Sequence, residues 1–454
     1  MTLPQPAAPG PDAAGPAAGP AEVGPDAAAR RELVLREAVR RRLLDPEDAL
    51  LAAFVDLDGV AASVAALRGA FPAEADVLHA FAAKANCLVP LLSRLRELGM
   101  GCEVASPGEL AQALAAGFDP ARIVLDSPAK TRRELVRALE LGVAVNIDSW
   151  QELDRVDDLL RAGTSASRLG VRVNPQIGGG TIGAMSTATP TSKFGIPLAD
   201  EGNAKRLVEA FRARPWLSWI HVHVGSQGCP LDLLAEGVGR AVAFAERVNA
   251  ELGRRQVTGI DLGGGLSVNF ADDTTAPTYA DYVGRLRAHA PELFDGRYRV
   301  VTEFGRSLLA KNGFTAAYVE YTKVAGGRSI AITHAGAQVA TRTVFMPDAW
   351  PLRITAHHSS GAAKESGEPV PQDVAGPCCF AGDLLARARP LPPLEPGDLV
   401  ALLDTGAYYA STHFQYNSLP EPAVHGFTVD AGGAVHFEPL RRAQPVEELI
   451  RPVG

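Results

Sequence analysis

The chain has 454 residues, enough for one large barrel with a smaller partner domain or for two to three domains. With 46% hydrophobic and 21% charged residues it can build a large core, and its formal net charge of -8 provides no basic surface for nucleic acid. No stretch approaches the roughly 20 apolar residues of a membrane span, so we expect neither a nucleic-acid nor a membrane partner, and a cytoplasmic location.

Residues 1–28 are dominated by Pro, Ala and Gly and lack the basic start and apolar core of a signal peptide. They predict a disordered tail, followed by an N-terminal helical segment over 29–50. The chain has five cysteines, and none has the spacing of a metal site: Cys87, Cys102, Cys229, Cys378 and Cys379. We therefore predict neither disulfides nor a bound metal.

From residue 51 to 312, short apolar strands alternate with amphipathic helical patterns. Eight of these strands are predicted: Val77 to Ala83, Gly101 to Ala105, Ile123 to Asp126, Ala144 to Ile147, Leu169 to Val173, Leu217 to Val224, Gly259 to Leu262 and Arg299 to Thr302. This count is typical of a (β/α)8 TIM-like barrel, which we predict over 51–312. A doubly wound sheet is the structural alternative, but it normally closes with fewer strands.

After residue 312 the helical periodicity fades, and short strand-like runs alternate with Gly and Pro turns. The clearest runs are Ser329 to Thr333, Leu352 to Ala356, Asp398 to Leu403 and Gly426 to Val429. They predict a separate C-terminal β domain over 313–454.

Lys84 follows the first predicted barrel strand, at the end where barrels collect functional groups. Burial there is expected to lower the pKa of the amine and leave a nucleophile able to form a Schiff base. The alternative is an ordinary solvated lysine that ends a strand.

Three further strand ends carry chemically useful residues: His223-Val-Gly-Ser-Gln227, Gly263-Gly-Gly265 and Glu303-Phe-Gly-Arg306. Glycines after a strand allow backbone N–H groups to approach a phosphate, and Ser226 can add a hydroxyl. Taken singly, a glycine run is more often a tight turn, and His223 could be a core histidine. Four such features on four strand ends indicate a site.

Seven motifs follow one another between about residues 50 and 425: Val55-Asp-Leu-Asp58, Ala83-Lys-Ala-Asn86, His221-Val-His-Val-Gly-Ser-Gln227, Asp261-Leu-Gly-Gly-Gly-Leu266, Thr302-Glu-Phe-Gly-Arg306, Gly376-Pro-Cys-Cys-Phe-Ala-Gly-Asp383 and Gly406-Ala-Tyr408. Together they resemble the fold-type III pyridoxal-phosphate decarboxylases, the family of diaminopimelate and ornithine decarboxylases with an alanine-racemase-like barrel. The pairing of the lysine segment with the cysteine segment is the most specific part.

The resemblance implies pyridoxal 5′-phosphate as cofactor, with Lys84 as the Schiff-base lysine and His223 stacked on the ring. Glu303 would face the pyridine nitrogen and keep it protonated. Cys379 would reach the active site of the other subunit of a homodimer and protonate the carbon that has lost carbon dioxide; an inert packed thiol is the alternative. The remaining cofactor-binding residues it implies are Ser226, Gly263, Gly264, Gly265, Gly305, Arg306 and Tyr408.

The departures from the family pattern concern the substrate, for which Phe380, Asp383 and Trp350 are our candidate contacts. Phe380 follows the motif cysteine where diaminopimelate decarboxylases usually have Glu and ornithine decarboxylases Asp, and phenylalanine cannot pair with a distal ammonium. The family's Asp-Gly turn appears as Ala335-Gly336, and its Arg-Pro segment as Trp350-Pro351. The Cys-Phe-Ala-Gly-Asp run is closest to the Cys-Leu-Ala-Gly-Asp of carboxynorspermidine decarboxylases.

These features predict a pyridoxal-phosphate-dependent carboxy-lyase acting on an amino acid or amino-acid conjugate other than meso-diaminopimelate. An amino acid racemase and a catalytically inactive cofactor-binding regulator are the alternatives. The segment from Gly376 to Asp383 favours a decarboxylase over a racemase, and the presence of both Lys84 and Cys379 argues against an inactive regulator.

Overall fold

The computed structural model describes residues 27–365 and 368–453. The predicted tail of residues 1–28 lies outside the described residues except for its last two, which open the first helix. The described helices are α1 Ala27–Arg40, α2 Leu57–Ala70, α3 Val89–Glu97, α4 Pro107–Ala115, α5 Arg132–Leu141, α6 Trp150–Ala162, α7 Asn203–Ala213, α8 Leu231–Leu252, α9 Tyr279–His289, α10 Arg306–Leu309, α11 Ala337–Phe345 and α12 Val446–Ile450.

The described strands form two sheets. They are β1 Leu51–Asp56, β2 Val77–Ala82, β3 Gly101–Val104, β4 Ile123–Asp126, β5 Ala144–Ile147, β6 Leu169–Asn174, β7 Ile196–Pro197, β8 Leu217–His221, β9 Gly259–Asp261, β10 Arg299–Thr302, β11 Gly313–Ala325, β12 Arg328–Thr333, β13 Ile354–His357, β14 Val370–Ala375, β15 Leu384–Leu391, β16 Leu399–Leu402, β17 Ala423–Val429 and β18 Val435–Arg441.

The first sheet is a closed barrel of eight parallel strands in the order β5-β4-β3-β2-β10-β9-β8-β6, closed by pairing of β5 with β6. The two-residue strand β7 adds to the edge of β6. Strands β3, β4 and β6 are buried along their whole length, as expected when helices cover the outside and side chains fill the inside. The predicted (β/α)8 barrel, with these eight strands, is confirmed.

Local sequence explains where the barrel helices begin and end. Helix α5 starts at a capping box in which Thr131 and Glu134 satisfy each other's backbone N–H groups, and it ends at Gly142 with φ of 79°. Its buried residues Leu135, Ala138 and Leu139 recur at helical spacing and pack against the strands. Local sequence thus defines both ends of α5.

The second sheet has the order β15-β14-β12-β11-β1-β17-β18, with β16 joining β11 to β13. The sequence predicted that the barrel begins at residue 51, but β1 pairs with β11 and β17 of the second sheet. The chain thus contributes one strand to this sheet before it enters the barrel. An apolar strand carries no local signal for which of two sheets it joins, and the long-range pairing decides.

The predicted C-terminal β domain is confirmed as a sheet domain with its own apolar core, which includes Val319, Val374, Leu385 and Val400. Its contact with the barrel positions the site. The backbone N–H of Tyr408 donates to the carbonyl of Ala85 at 2.6 Å, and the Ser411 hydroxyl donates to the carbonyl of Lys84 at 2.8 Å. Among the described residues, no helix has the length and apolar character needed to cross a bilayer.

Candidate active site

A cavity of about 540 Å³ opens at the carboxyl ends of the barrel strands, where the second domain meets the barrel. This volume falls in the range that holds a cofactor or small ligand. Both domains contribute to the lining, whose chemically useful side chains are Lys84, Asp126, Arg172, Lys193, His223, Ser226, Glu303, Arg306, Arg342 and Tyr408.

Lys84 lies in a short 3-10 turn directly after β2, and its Nζ donates to the two carboxylate oxygens of Glu103 at 2.9 and 2.8 Å. The side chain is 43% exposed within the cavity mouth, whereas the Glu103 side chain is fully buried. Burial opposes the charge on Lys84, but the carboxylates of Glu103 and Glu303 outweigh it and raise the pKa of the amine. The prediction of a lowered pKa is therefore wrong for this structure, because a buried carboxylate stands next to the amine.

Glu303 follows β10 and is 5% exposed. Its Oε1 is buried and has no hydrogen-bond partner among the described residues. Burial and the nearby Asp261 raise the pKa of this carboxyl well above its usual value. An unpaired buried carboxylate oxygen facing a cavity is suited to a ligand N–H, because leaving it unpaired costs about 1–3 kcal/mol.

The His223 ring is held in place by the glycine segment, since the backbone N–H of Gly264 donates to its Nδ1 at 3.1 Å. Burial lowers the pKa of His223 well below the usual value, and the charges of Arg172 and Lys84 act in the same direction. Both effects favour the neutral form of His223, whose flat ring on the cavity wall can stack on a planar ligand.

The glycine segment after β9 approaches its neighbours too closely for any side chain. A Cβ on Gly265, which has φ of 109°, would lie 2.0 Å from the Gly225 carbonyl oxygen. One on Gly264 would lie 2.2 Å from the Glu303 carbonyl oxygen. Side chains are thus excluded from this side of the cavity, and backbone groups line it beside Ser226.

Arg306 completes this part of the cavity, with its Nη2 donating to the Ser226 hydroxyl at 3.4 Å and its Nε buried without a partner. Burial lowers the pKa of Arg306 to about 10, so it remains charged at neutral pH. A guanidinium, a serine hydroxyl and exposed backbone amides form the usual chemistry of a phosphate site.

A second guanidinium, Arg342 from α11, stacks with Arg306 around the same two rings. The distances from the Arg342 guanidinium carbon to the ring centroids of Trp350 and Tyr408 are 4.4 and 4.7 Å, and those from Arg306 are 4.6 and 4.5 Å. The sequence placed the family's Arg-Pro segment at Trp350-Pro351, where the arginine is replaced by tryptophan. Arg342 nevertheless supplies a cation to the cavity lining.

Cys379 is exposed and lies outside the cavity lining of its own chain, with its backbone N–H donating to Asn417 Oδ1 at 2.8 Å. Next to it lies a ring of four side chains that we call the aromatic cluster, in which neighbouring ring centroids are 5.5–5.6 Å apart: Phe345, Phe380, Phe414 and Tyr416. Phe345 is 55% exposed, so the cluster forms an apolar surface beside the thiol.

The other two predicted substrate contacts occupy different places. Trp350 is buried beneath the two guanidiniums rather than in the cavity lining. Asp383 is also buried, and its carboxylate accepts the backbone N–H groups of Ala337 and Cys378 at 2.6 and 2.7 Å. Asp383 thereby holds the cysteine segment against α11, and its contact with substrate stays a prediction.

Sequence reasoning missed several site residues: Glu103, Asp126, Arg172, Lys193 and Arg342. A signal existed for Glu103, because an acidic residue inside the apolar strand Gly101–Val104 needs a buried partner. Arg172 lies within β6 for a similar reason, and its Nη1 donates to Asp126 at 3.1 Å. Arg342 offers no local signal, because only the docking of α11 brings it to the cavity.

A family model described as the pyridoxal-dependent decarboxylase pyridoxal binding domain matches residues 57–310. The chain belongs to this family. It is similar to the diaminopimelate decarboxylase of Pseudomonas aeruginosa, with 34% identity over 375 residues, covering 82% of this chain and 85% of that protein. The enzyme is accordingly a pyridoxal-phosphate-dependent carboxy-lyase.

Solved structures of decarboxylases have a similar fold. The diaminopimelate decarboxylase of Helicobacter pylori complexed with L-lysine superposes with a TM-score of 0.78 at 27% identity, over 90% of this chain and 97% of that one. A lysine/ornithine decarboxylase from Vibrio vulnificus complexed with putrescine shares the fold, with a TM-score of 0.71 at 20% identity, over 87% of this chain and 97% of that one.

The residues of the cavity fit the cofactor of this family. Arg306, Ser226 and the glycine segment offer donors to a phosphate, and the unpaired Glu303 Oε1 offers an acceptor to a ring N–H. Lys84 supplies the amine that the aldehyde of pyridoxal phosphate requires.

Proposed function

We propose that the enzyme decarboxylates an α-amino acid or amino-acid conjugate in this cavity, with Lys84 and Glu303 as its essential groups. The observation that supports this most directly is the joint presence of a lysine amine and a buried carboxyl with an unpaired oxygen in one cavity. When bound, the cofactor supplies the electron sink that stabilises the charge left by departing carbon dioxide.

The cavity residues have distinct roles in activating Lys84 and holding the cofactor. Glu103 is within 2.9 Å of the Lys84 amine and is placed to take its proton, which leaves a nucleophilic amine. Neutral His223 provides a flat wall, and Glu303 holds the ring nitrogen in its protonated form. Arg306 and Ser226 hold the phosphate end in position.

We also propose a homodimer with shared active sites. Cys379 is the predicted proton donor, yet it is exposed and lies outside the cavity of its own chain. A second copy is therefore needed to bring this thiol to Lys84. The apolar surface of the aromatic cluster beside Cys379 supports such an interface, because exposed contiguous apolar surface marks a contact site.

For the substrate, we propose an amino acid other than meso-diaminopimelate. Phe380 would enter the neighbouring cavity together with Cys379, and an aromatic ring there offers no partner to a distal ammonium. Arg342, in contrast, can bind a carboxylate by donating hydrogen bonds to it. We therefore favour a substrate whose far end is anionic or apolar rather than cationic.

The test is carbon dioxide release from a panel of L- and D-amino acids and amine-bearing conjugates, including diaminopimelate, ornithine and lysine, with pyridoxal phosphate present. Release from at least one substrate, with diaminopimelate at least a hundredfold less efficient than the best, is expected. A preference for diaminopimelate would overturn the substrate proposal and leave the decarboxylase assignment intact. The cytoplasmic location stays a prediction.

A further inference from the structure

His221, two residues before the cofactor-facing His223, has no role in the reaction described so far. It ends β8 and is completely buried inside the barrel. Its Nε2 lies 3.3 Å from Asp126 Oδ2, and its Nδ1 lies 3.4 Å from Asp261 Oδ1. Each ring nitrogen thus faces a carboxylate from a different strand.

This geometry requires a protonated ring. A neutral imidazole has one N–H, so its other nitrogen would turn a lone pair toward a carboxylate oxygen. The imidazolium presents an N–H on both sides. Both contacts lack the alignment of a hydrogen bond, but Coulomb attraction between buried charges does not depend on it. Although burial alone would discharge the ring, the two carboxylates raise the pKa of His221 well above its usual value.

The other charged groups of this region already have partners. Lys84 pairs with Glu103, and Arg172 pairs with Asp126 at 3.1 Å and lies 3.9 Å from Asp148. Among the described residues, His221 is the one cation paired with Asp261, whose other partners are Asn146 and the backbone N–H of Gly263.

Glu303 belongs to the same group, since one ligand atom from each of Asp126, His221 and Glu303 lies within 4.8 Å of the others. Asp261 raises the pKa of Glu303, and the charge on His221 counteracts it. Without that charge, the clustered carboxylates would raise the pKa of Glu303 further and keep it protonated, and so neutral, over a wider pH range. A neutral carboxyl binds a protonated ring nitrogen more weakly than a carboxylate does, because the ion pair is lost.

We propose that His221 is a positioning residue whose imidazolium neutralises Asp126 and Asp261. It thereby favours the charged form of Glu303, which would pair with the cofactor's ring nitrogen. The link to the cofactor rests on the proposed function. The protonated state of His221 does not, because it follows from contacts within the protein alone.

The chain offers a matched control for a substitution at His221. His79 is also a buried barrel histidine, but its ring bonds to the Thr302 hydroxyl at 2.9 Å, and burial lowers its pKa to about 4, so it is neutral. H221Q and H79N therefore remove a charged and an uncharged buried histidine. Their effects should differ in pH dependence even if both variants lose stability.

The first measurement is the apparent dissociation constant for pyridoxal 5′-phosphate, by fluorescence quenching of each apoprotein between pH 6.5 and 9. For H221Q we expect at least a tenfold weakening at pH 6.5 that shrinks toward pH 9, where Glu303 loses its proton even without the charge of His221. H79N should keep the wild-type pH profile. A loss in H221Q that is the same at every pH would overturn the proposal.

The second measurement is the thermal midpoint of the apoproteins over the same pH range, which tests the imidazolium without the cofactor. H221Q should lose more stability at pH 9 than at pH 6.5, and the double variant H221Q/D261N should have a flatter profile. If H221Q does not fold, the double variant is measured by itself. A thermal midpoint that falls between pH 6.5 and 9 more steeply in the double variant than in the wild type would then refute the inference. So would a stoichiometric divalent metal bound to the wild-type protein and lost in H221Q. Failure of the wild type to bind pyridoxal phosphate would instead count against the proposed function.

Discussion

The two ends of the cavity are built differently. The end formed by Ser226, Gly265, Glu303 and Arg306 is made of barrel-strand termini, and its glycines leave no room for side chains. The other end is formed by the second domain, through Arg342, and the half-exposed aromatic cluster lies outside the cavity of its own chain. Rigid, buried groups can hold one cofactor in one orientation. A partly exposed surface, which a second copy completes in the proposed dimer, can vary in sequence without disturbing that chemistry.

Replacing Lys84 should have the largest effect on the cofactor end. K84A should lower activity on the order of 10³-fold or more, because the amine that binds the cofactor covalently is gone. Borohydride reduction followed by peptide mapping should place the cofactor on Lys84 in the wild type and nowhere in K84A. K323A, on the exposed half of β11, is the control and should keep full activity. Cofactor trapped on another lysine would contradict the site.

Subunit mixing tests whether the second end truly comes from another copy. K84A and C379A should each be nearly inactive, and an equal mixture should recover about a quarter of wild-type activity, since half the dimers form with one intact site of two. C378A, at the neighbouring buried thiol, should be active without mixing. A monomer with full activity would refute the shared site, because its cavity would then be complete without a second copy.

Phe380 tests the substrate preference of the second end. F380E restores an acidic side chain beside Cys379, so the efficiency on meso-diaminopimelate relative to the best neutral substrate should rise about tenfold, or ~1.4 kcal/mol. F414L, which alters the same aromatic cluster without adding charge, should not change this ratio. The measurement is kcat/KM for both substrates in the wild type, F380E and F414L. Equal ratios in all three would show that Phe380 does not contact the distal group.

The last effect is on stability rather than activity and concerns the barrel strand that leads to Lys84. Burial lowers the pKa of His79 to about 4, below the ordinary 6.5, so the unfolded chain binds this proton more readily. The stability from a neutral His79 is fully present above pH 6.5 and is lost as the pH falls toward 4. Between pH 7 and 5 the wild type should lose about 2 kcal/mol more than H79N, measured as the free energy of unfolding in urea. H436N, at an exposed histidine, should behave as the wild type does.

Much of the cofactor end could be predicted from sequence because it is encoded locally. A strand followed by Lys84, by three glycines or by Glu303 puts chemical groups at strand ends, and closure of a parallel barrel gathers those ends at one face. The error over the Lys84 pKa arose because pairing of β2 with β3 places the buried Glu103 carboxylate beside the amine, which the apolar strand before Lys84 does not reveal.

By itself, the sequence determined the eight barrel strands, the β domain that follows and the residue types at the cofactor end, since hydrophobic periodicity and short motifs are local properties. Tertiary structure alone decided that β1 joins the second sheet, that α11 carries Arg342 to the cavity and that Cys379 lies outside the cavity of its own chain. The physical reason is that strand pairing and domain docking depend on contacts between segments far apart in the chain, for which no short stretch of sequence carries the information.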